Sequence, residues 1–224
     1  MEIKVMANIL DKNDRLAAEV NALLSGKGIF VFNLLGSPGS GKTSVLEQTI
    51  DALKDEIRMA VIEGDLFTSK DAQRIAVHGI PVVQINTGGG CHLDAAMVLQ
   101  VLPKLDLDAL DMIIIENVGN LVCPAEFNIG EDLKVTVLSI TEGEDKPLKY
   151  PLMFKEAAAA ILNKVDLLPY TSFDMDAAVD DITSINPRIA LFKMSCRTGE
   201  GLGDWFDWLK GAVRDKKAGI SRNV

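Results

Sequence analysis

The chain has no excess of basic residues. Its 23 Lys and Arg are outnumbered by 32 Asp and Glu, for a formal net charge of −9. A nucleic-acid binder normally presents a basic face, so the balance argues against that class, and solubility accounts for the acidity. No apolar run approaches the roughly 20 residues that a bilayer span needs. The N-terminus lacks the charged and apolar regions of a secretory signal. The expectation is a cytoplasmic protein with no membrane contact. Cysteine is scarce and odd in number: Cys91, Cys123 and Cys196 cannot make a complete intrachain disulfide framework, and no C-x-x-C is present. In a reducing compartment such cysteines are buried, metal-binding or catalytic. There are two histidines, His78 and His92, no internal repeat and no linker-like stretch.

What is present suffices for a large core, since 48% of the 224 residues are hydrophobic. The chain reads as a single domain over 1–224. A loose tail is expected at 1–7, then a short helix over about 8–24, with Leu16, Val20, Leu23 and Leu24 at helical spacing. A second loose tail is expected at about 215–224.

The apolar run Ile29–Leu35 leads into Gly36-Ser-Pro-Gly-Ser-Gly-Lys42-Thr43, and a helical pattern follows from Ser44 to Leu53. That context makes G-x-x-x-x-G-K-[ST] a phosphate site. The loop's N–H groups and the helix N-terminus face phosphate oxygens. Gly36, Pro38, Gly39, Ser40, Gly41, Lys42, Thr43 and Ser44 are the expected contacts. Lys42 reaches the β/γ-phosphates, and the Thr43 hydroxyl can ligate Mg²⁺.

Downstream, apolar stretches alternate with helical ones. Strands are expected at 59–65, 81–85, 111–116, 134–140, 157–162 and 189–194, and helices at about 69–78, 93–102, 174–185 and 203–213. The alternation implies an α/β fold, a mostly parallel sheet with helices on both faces. Ligands in such sheets sit at the carboxyl ends of the strands. Asp65 and Glu116 lie at two such ends. With Lys42 they are the expected catalytic set. Asp65 and Thr43 are favoured as direct Mg²⁺ ligands, while Glu116 either holds a Mg²⁺-bound or attacking water or caps a turn. No obvious water-positioning Gln or arginine finger is seen, so intrinsic hydrolysis is expected to be slow, on the order of 10⁻⁴–10⁻² per second.

Asn163-Lys164-Val165-Asp166 follows the strand at 157–162 and is the N-K-x-D element of guanine-nucleotide proteins. The Asp166 carboxylate can accept from guanine N1–H and the exocyclic amine, a donor pair that adenine lacks. Asn163 is expected on the Hoogsteen side and the Lys164 stem over the ring. Ser195-Cys196-Arg197 is expected to offer backbone N–H groups to guanine O6. GTP and GDP are therefore the expected ligands. A small-molecule kinase with the same loop is the competing class, and the guanine element argues against it.

Cys91-His92 and Cys123 also lie just beyond strand ends. Cysteine with histidine suits Ni²⁺ or Zn²⁺. The plainer reading is two buried cysteines and a surface histidine. Three ligands do not close a tetrahedral site, so a fourth would come from water or from a second chain. His78 has no cysteine near it and reads as structural or exposed.

Taken in order, Gly36–Thr43, Glu63-Gly-Asp65, Thr87-Gly-Gly-Gly-Cys-His92, Glu116-Asn-Val-Gly-Asn-Leu-Val-Cys-Pro124, Thr141-Glu-Gly-Glu-Asp-Lys-Pro147 and Asn163-Lys-Val-Asp166 resemble the HypB family of GTPases, which assist nickel insertion into nickel–iron hydrogenases. The resemblance implies a P-loop NTPase of the SIMIBI type that dimerises when GTP is bound. Cys91, His92 and Cys123 of both chains would bind Ni²⁺ or Zn²⁺ at the interface. Partners would include a second maturation protein of the HypA type and the hydrogenase large subunit. Lys146 would approach nucleotide across the dimer. Many relatives also carry an N-terminal nickel site, whereas residues 1–35 here hold neither Cys nor His. A urease accessory GTPase and a GTP-switched assembly module with structural cysteines are the alternatives.

Overall fold

The computed structural model describes residues 5–219. In chain order the elements are α1 (Val5–Gly26), β1 (Phe30–Gly36), α2 (Lys42–Leu53), β2 (Met59–Asp65), α3 (Lys70–Ala76), β3 (Val82–Asn86), α4 (Ala95–Val101), β4 (Met112–Glu116), α5 (Cys123–Glu126), β5 (Leu133–Ser139), α6 (Lys146–Lys149), α7 (Pro151–Lys155), β6 (Ala159–Asn163), α8 (Met175–Ile185), β7 (Ala190–Met194) and α9 (Leu202–Lys217). Short 3₁₀ turns lie between several of them, including Val165–Tyr170. Two expectations need correction at the termini. Val5–Ala7 begin α1, and 215–217 continue α9, so neither stretch is a loose tail. The far end of α9 is held down by Lys217 on Asp111 at 2.9 Å and by Lys216 on Asp132. Residues 1–4 and 220–224 of the expected tails lie outside the described residues.

The seven strands form one parallel sheet in the order β3-β2-β4-β1-β5-β6-β7. The central strands β1, β4 and β5 are buried at every residue, because helices cover both faces. Alternation along β1 sends Phe30, Phe32 and Leu34 to one face, against α2 and α9. Val31 goes to the other, where α1 and α4 pack through Val20, Leu24 and Val98. Trp205 of α9 is fully buried, edge-on to Phe32 and Phe192, and donates its indole N–H to Thr49 Oγ1 at 2.9 Å. β1 is the branch point: β2, β3 and β4 lie to one side and β5, β6 and β7 to the other. The crevice at its carboxyl end is therefore the place for a ligand. Among the described residues no helix is long and apolar enough to cross a membrane.

Candidate functional site

The loop between β1 and α2 turns at that crevice. Lys42 is buried and donates to Gly36 O and Ser37 O, both at 3.3 Å, so its ammonium lies along the inner wall of the loop. Ser40 Oγ is buried with no partner inside the same loop. Gly41 has φ 99°, and a Cβ there would lie 2.3 Å from Asn163 Nδ2, so no other residue fits without moving the guanine element. A cavity of about 460 Å³ opens above the loop, lined in part by Lys42, Thr43, Glu63, Asp65, Arg74 and Glu116.

Glu116 and Asp65 are held in different ways. Thr43 Oγ1 donates to Glu116 Oε1 at 3.0 Å, whereas Asp65 Oδ1 accepts Phe67 N at 2.7 Å and Thr68 N at 2.8 Å. Strand order explains the difference: β4 lies directly beside β1, and β2 lies one strand further out. Parallel register then sets Glu63 opposite Glu116. Both carboxyl groups are 3% exposed, and Oε2 of each lacks a hydrogen-bond donor. Burial, followed by the charge of Glu116, drives the Glu63 carboxyl far above the ordinary range, and burial raises Glu116 as well. A proton shared between the facing carboxyl groups relieves their repulsion. Two orphaned carboxylate oxygens, a threonine hydroxyl and Asp65 make an all-oxygen donor set at one wall, which suits Mg²⁺.

The base element lies on the other side of the loop, around a cavity of about 310 Å³ lined by Lys164, Asp166, Ser195, Cys196 and Arg197 among others. Asn163 is 1% exposed and faces the phosphate loop: its Nδ2 donates to Ser40 O at 3.0 Å and its Oδ1 accepts Lys164 N at 2.8 Å. The side chain expected on the Hoogsteen side of the base thus also braces the phosphate loop. Lys164 adopts φ 66°, in the left-handed region, and its Nζ donates to Gly39 O at 2.6 Å. A strained lysine held at both ends marks a functional turn. Asp166 accepts from Ser195 Oγ at 2.6 Å, and Ser195 Oγ in turn accepts Arg197 N and Thr198 N, each at 3.2 Å. Burial pushes the Cys196 thiol up to about 11.

At the next strand ends the thiols and the imidazole converge. One ligand atom from each of Cys91, His92 and Cys123 lies within 4.8 Å of the other two. Cys91 precedes α4, and Cys123 opens α5. The His92 ring packs on Phe127 at 4.0 Å, and burial lowers the imidazole's pKa, favouring the neutral form that ligates metal. The Cys91 thiol beside it raises Cys123. Asn120 ties the two segments together: Nδ2 donates to Cys91 O at 3.2 Å and Oδ1 accepts Val122 N at 2.9 Å. Its backbone N–H reaches the phosphate loop at Gly36 O, 3.1 Å away. Cys196 is outside this cluster. His78 pairs with Asp51 at 2.7 Å, as a surface residue would.

A family model described as CobW/HypB/UreG, nucleotide-binding domain, matches residues 30–193, which take in the phosphate loop, Asn163 to Asp166 and the thiol cluster. Hydrogenase maturation factor HypB of Escherichia coli (strain K12) is 51% identical over 208 residues, 93% of this chain and 72% of that protein. The chain belongs to the HypB family. A probable hydrogenase maturation factor HypB of Methanocaldococcus jannaschii is 39% identical over 215 residues, 96% of this chain and 97% of that one. The crystal structure of HypB from Helicobacter pylori in complex with nickel superposes with a TM-score of 0.86 at 38% identity, covering 95% of this chain and 99% of that one.

Four residues of this HypB-family site carry no role in the motif reading. Glu63 has a signal, a buried acid that follows the apolar run Met59–Ile62. Arg74 donates to Glu47 at 2.7 Å and to Ser44 Oγ at 3.4 Å at the rim of the larger cavity, and nothing in its local sequence marks it. Asn117 accepts Leu93 N at 3.0 Å, and Asn120 joins the two thiol-bearing segments. Both asparagines fall in the stretch that carries the resemblance, but their partners are remote in sequence.

Proposed function

We propose that the chain is a GTP-hydrolysing nickel-handling factor for hydrogenase maturation, in which Cys91, His92 and Cys123 take Ni²⁺ or Zn²⁺ as cargo and the nucleotide governs its release. One observation carries this reading: Asn120 touches Gly36 of the phosphate loop with its backbone and both ligand-bearing segments with its side chain. A shift of the loop on nucleotide exchange therefore bears on the cluster through Asn120.

In the nucleotide cavity, Lys42 turns from the loop carbonyls toward the β/γ-phosphates, and the loop N–H groups take the remaining charge. Thr43, Glu116, Glu63 and Asp65 would hold Mg²⁺, which when bound neutralises charge on those phosphates. Asp166, held by Ser195, receives the guanine N1–H and amine, while Lys164 lies over the ring and Asn163 keeps the two loops in register. Arg74 is engaged with Glu47, and the cavity presents two acids side by side on neighbouring strands rather than a water-positioning amide. Unassisted hydrolysis is accordingly slow, on the order of 10⁻⁴–10⁻² per second. At the cluster, binding displaces thiol protons and leaves a tetrahedral position for water or for a second copy of the chain. The reading includes a GTP-bound homodimer and hand-over to a HypA-type protein and the hydrogenase large subunit, in the cytoplasm.

The test is equilibrium titration of the purified chain with Ni²⁺ and with Zn²⁺, in GDP and in a non-hydrolysable GTP analogue, with the mass recorded in each state. Metal affinity and mass that both change with nucleotide support the reading. Equal affinity in the two states leaves no coupling free energy to govern release and overturns it.

A further inference from the structure

The buried stripe of α1 runs Asn13, Ala17, Val20, Leu24. An asparagine on that stripe needs partners, because a buried amide without hydrogen bonds is costly. Asn13 is 7% exposed, and both ends of its side chain are occupied. Oδ1 accepts Ala95 N at 3.0 Å, and Nδ2 donates to Asn128 O at 2.8 Å. Ala95 lies just beyond Cys91-His92, at the first turn of α4, and Asn128 lies just beyond Cys123 and α5. One amide, far from both in sequence, thus spans the two segments that bring the ligands together. Only a side chain that offers an acceptor and a donor side by side can do this.

We propose that Asn13 is a positioning residue for the Cys91–His92–Cys123 cluster, setting the spacing between its two arms. The inference rests on the reading of that cluster as a Ni²⁺ or Zn²⁺ site. It assigns α1 a task beyond covering the sheet: α1 is a third body against which both arms are registered. Neighbouring contacts dock α1 without Asn13. Val20 and Leu24 are fully buried. Asn21 Nδ2 donates to Gly130 O at 3.2 Å and to Glu131 O at 3.3 Å. Gly130 adopts φ 97°, and a Cβ there would lie 2.3 Å from Val20 Cγ1, so backbone and helix are already in contact. Removing the Asn13 amide therefore loosens the arms and leaves the helix seated.

The experiment uses the full chain with Asn13→Leu, an apolar side chain of similar size, and titrates it with Ni²⁺ and with Zn²⁺. The thiolate-to-Ni²⁺ charge-transfer absorption is recorded alongside, and GDP affinity serves as the folding control. The expected result is about 10-fold or greater weakening of both metals, with an altered charge-transfer band and GDP affinity unchanged. Unchanged metal affinity and an unchanged band in the folded variant overturn the proposal. Should Asn13→Leu fail to bind GDP, Asn13→Asp carries the same test: it keeps an acceptor for Ala95 N and turns an oxygen toward Asn128 O, so the expected result is again weaker metal with an altered band. Wild-type protein that binds neither metal, or Cys91→Ala protein that binds as wild type does, removes the metal reading itself and the proposal with it. An Asn13 variant indistinguishable from a metal-binding wild type removes the proposal alone.

Discussion

The nucleotide crevice and the thiol cluster lie on the same edge of the sheet and are built in opposite ways. In the crevice the working groups are buried and braced side chain to side chain or on the loop: Lys42, Thr43, Glu63, Glu116 and Asn163 are all under 9% exposed. Around the cluster, Cys91 is exposed, and His92 and Cys123 are half-buried. Their segments are held through backbone amides and carbonyls by the asparagines 13, 117 and 120. A site that stabilises developing charge needs groups that do not reorganise during the reaction. A site that must take up and give back an ion needs reachable ligands. Amide clasps on backbone provide that, since they set the loop and leave the ligands themselves unencumbered.

The contrast is tested most severely by Cys91→Ala and Cys123→Ala. Each is expected to abolish stoichiometric Ni²⁺ or Zn²⁺ binding and leave GDP affinity intact, which paired metal and nucleotide titrations would show. Retained metal in both variants would place the ligands elsewhere. Conversely, Lys42→Ala should lower GTP turnover by about 10²–10³-fold, the loss typical of a missing charge-stabilising donor, with metal affinity in the nucleotide-free state unchanged. Parallel loss of metal binding would show that the two sites fold as one.

Trp205→Ala probes the core beneath the crevice. A fully buried indole that also satisfies Thr49 is worth about 3–5 kcal/mol, read as a lowered midpoint in urea. An unchanged midpoint would mean that α9 is not part of the cooperative unit. Asn120→Ala addresses the junction between the sites. Metal and nucleotide should each still bind, while the dependence of metal affinity on nucleotide shrinks by about 5-fold, near the lower end of usual coupling energies. Undiminished coupling would move the connection to another contact.

The smallest effect concerns pH and the opposite end of the sheet. Asp111 accepts Arg58 Nη2 at 2.7 Å and Lys217 Nζ at 2.9 Å, and the Arg58 guanidinium, then Lys217, holds its carboxyl well below the ordinary range. A depressed acid stabilises the fold above its unfolded pKa, near 3.9, and loses that contribution as pH falls toward the folded value. Asp111→Asn should therefore flatten the acid limb of stability below about pH 4 and lower stability at neutral pH. An acid limb as steep as in wild type would assign that limb to other carboxylates. Metal affinity should not follow this change, because the pair lies at the far end of the strands from the cluster.

The motif residues were legible because their chemistry is local. A glycine-rich turn between an apolar run and a helical pattern, N-K-x-D after another apolar run, and a Cys-His dipeptide each announce themselves within a few positions. What each motif touches was less legible. The motifs favour Asp65 and Thr43 as Mg²⁺ ligands, and only the strand order shows Glu116 bonded to Thr43. N-K-x-D presents Asn163 as a base contact, and only the fold shows that its amide also braces Ser40. The α1 pattern drew attention to Leu16 and Leu23, whereas Leu23 is 42% exposed and Asn13 and Ala17 share the buried stripe with Val20 and Leu24. Apolar periodicity overlooks a polar residue whose partners are 82 and 115 positions away.

Composition, periodicity and motif order by themselves determined the α/β class, the phosphate and guanine elements, and the three candidate metal ligands, because each depends on residues adjacent in the chain. Only the tertiary structure decided that Glu63 faces Glu116, that Asn120 joins the phosphate loop to both thiol-bearing segments, and that Asn13 spans those segments from α1. Those relations follow from which strands lie side by side and in what register, and parallel pairing over crossover connections joins residues whose local sequences carry no record of one another.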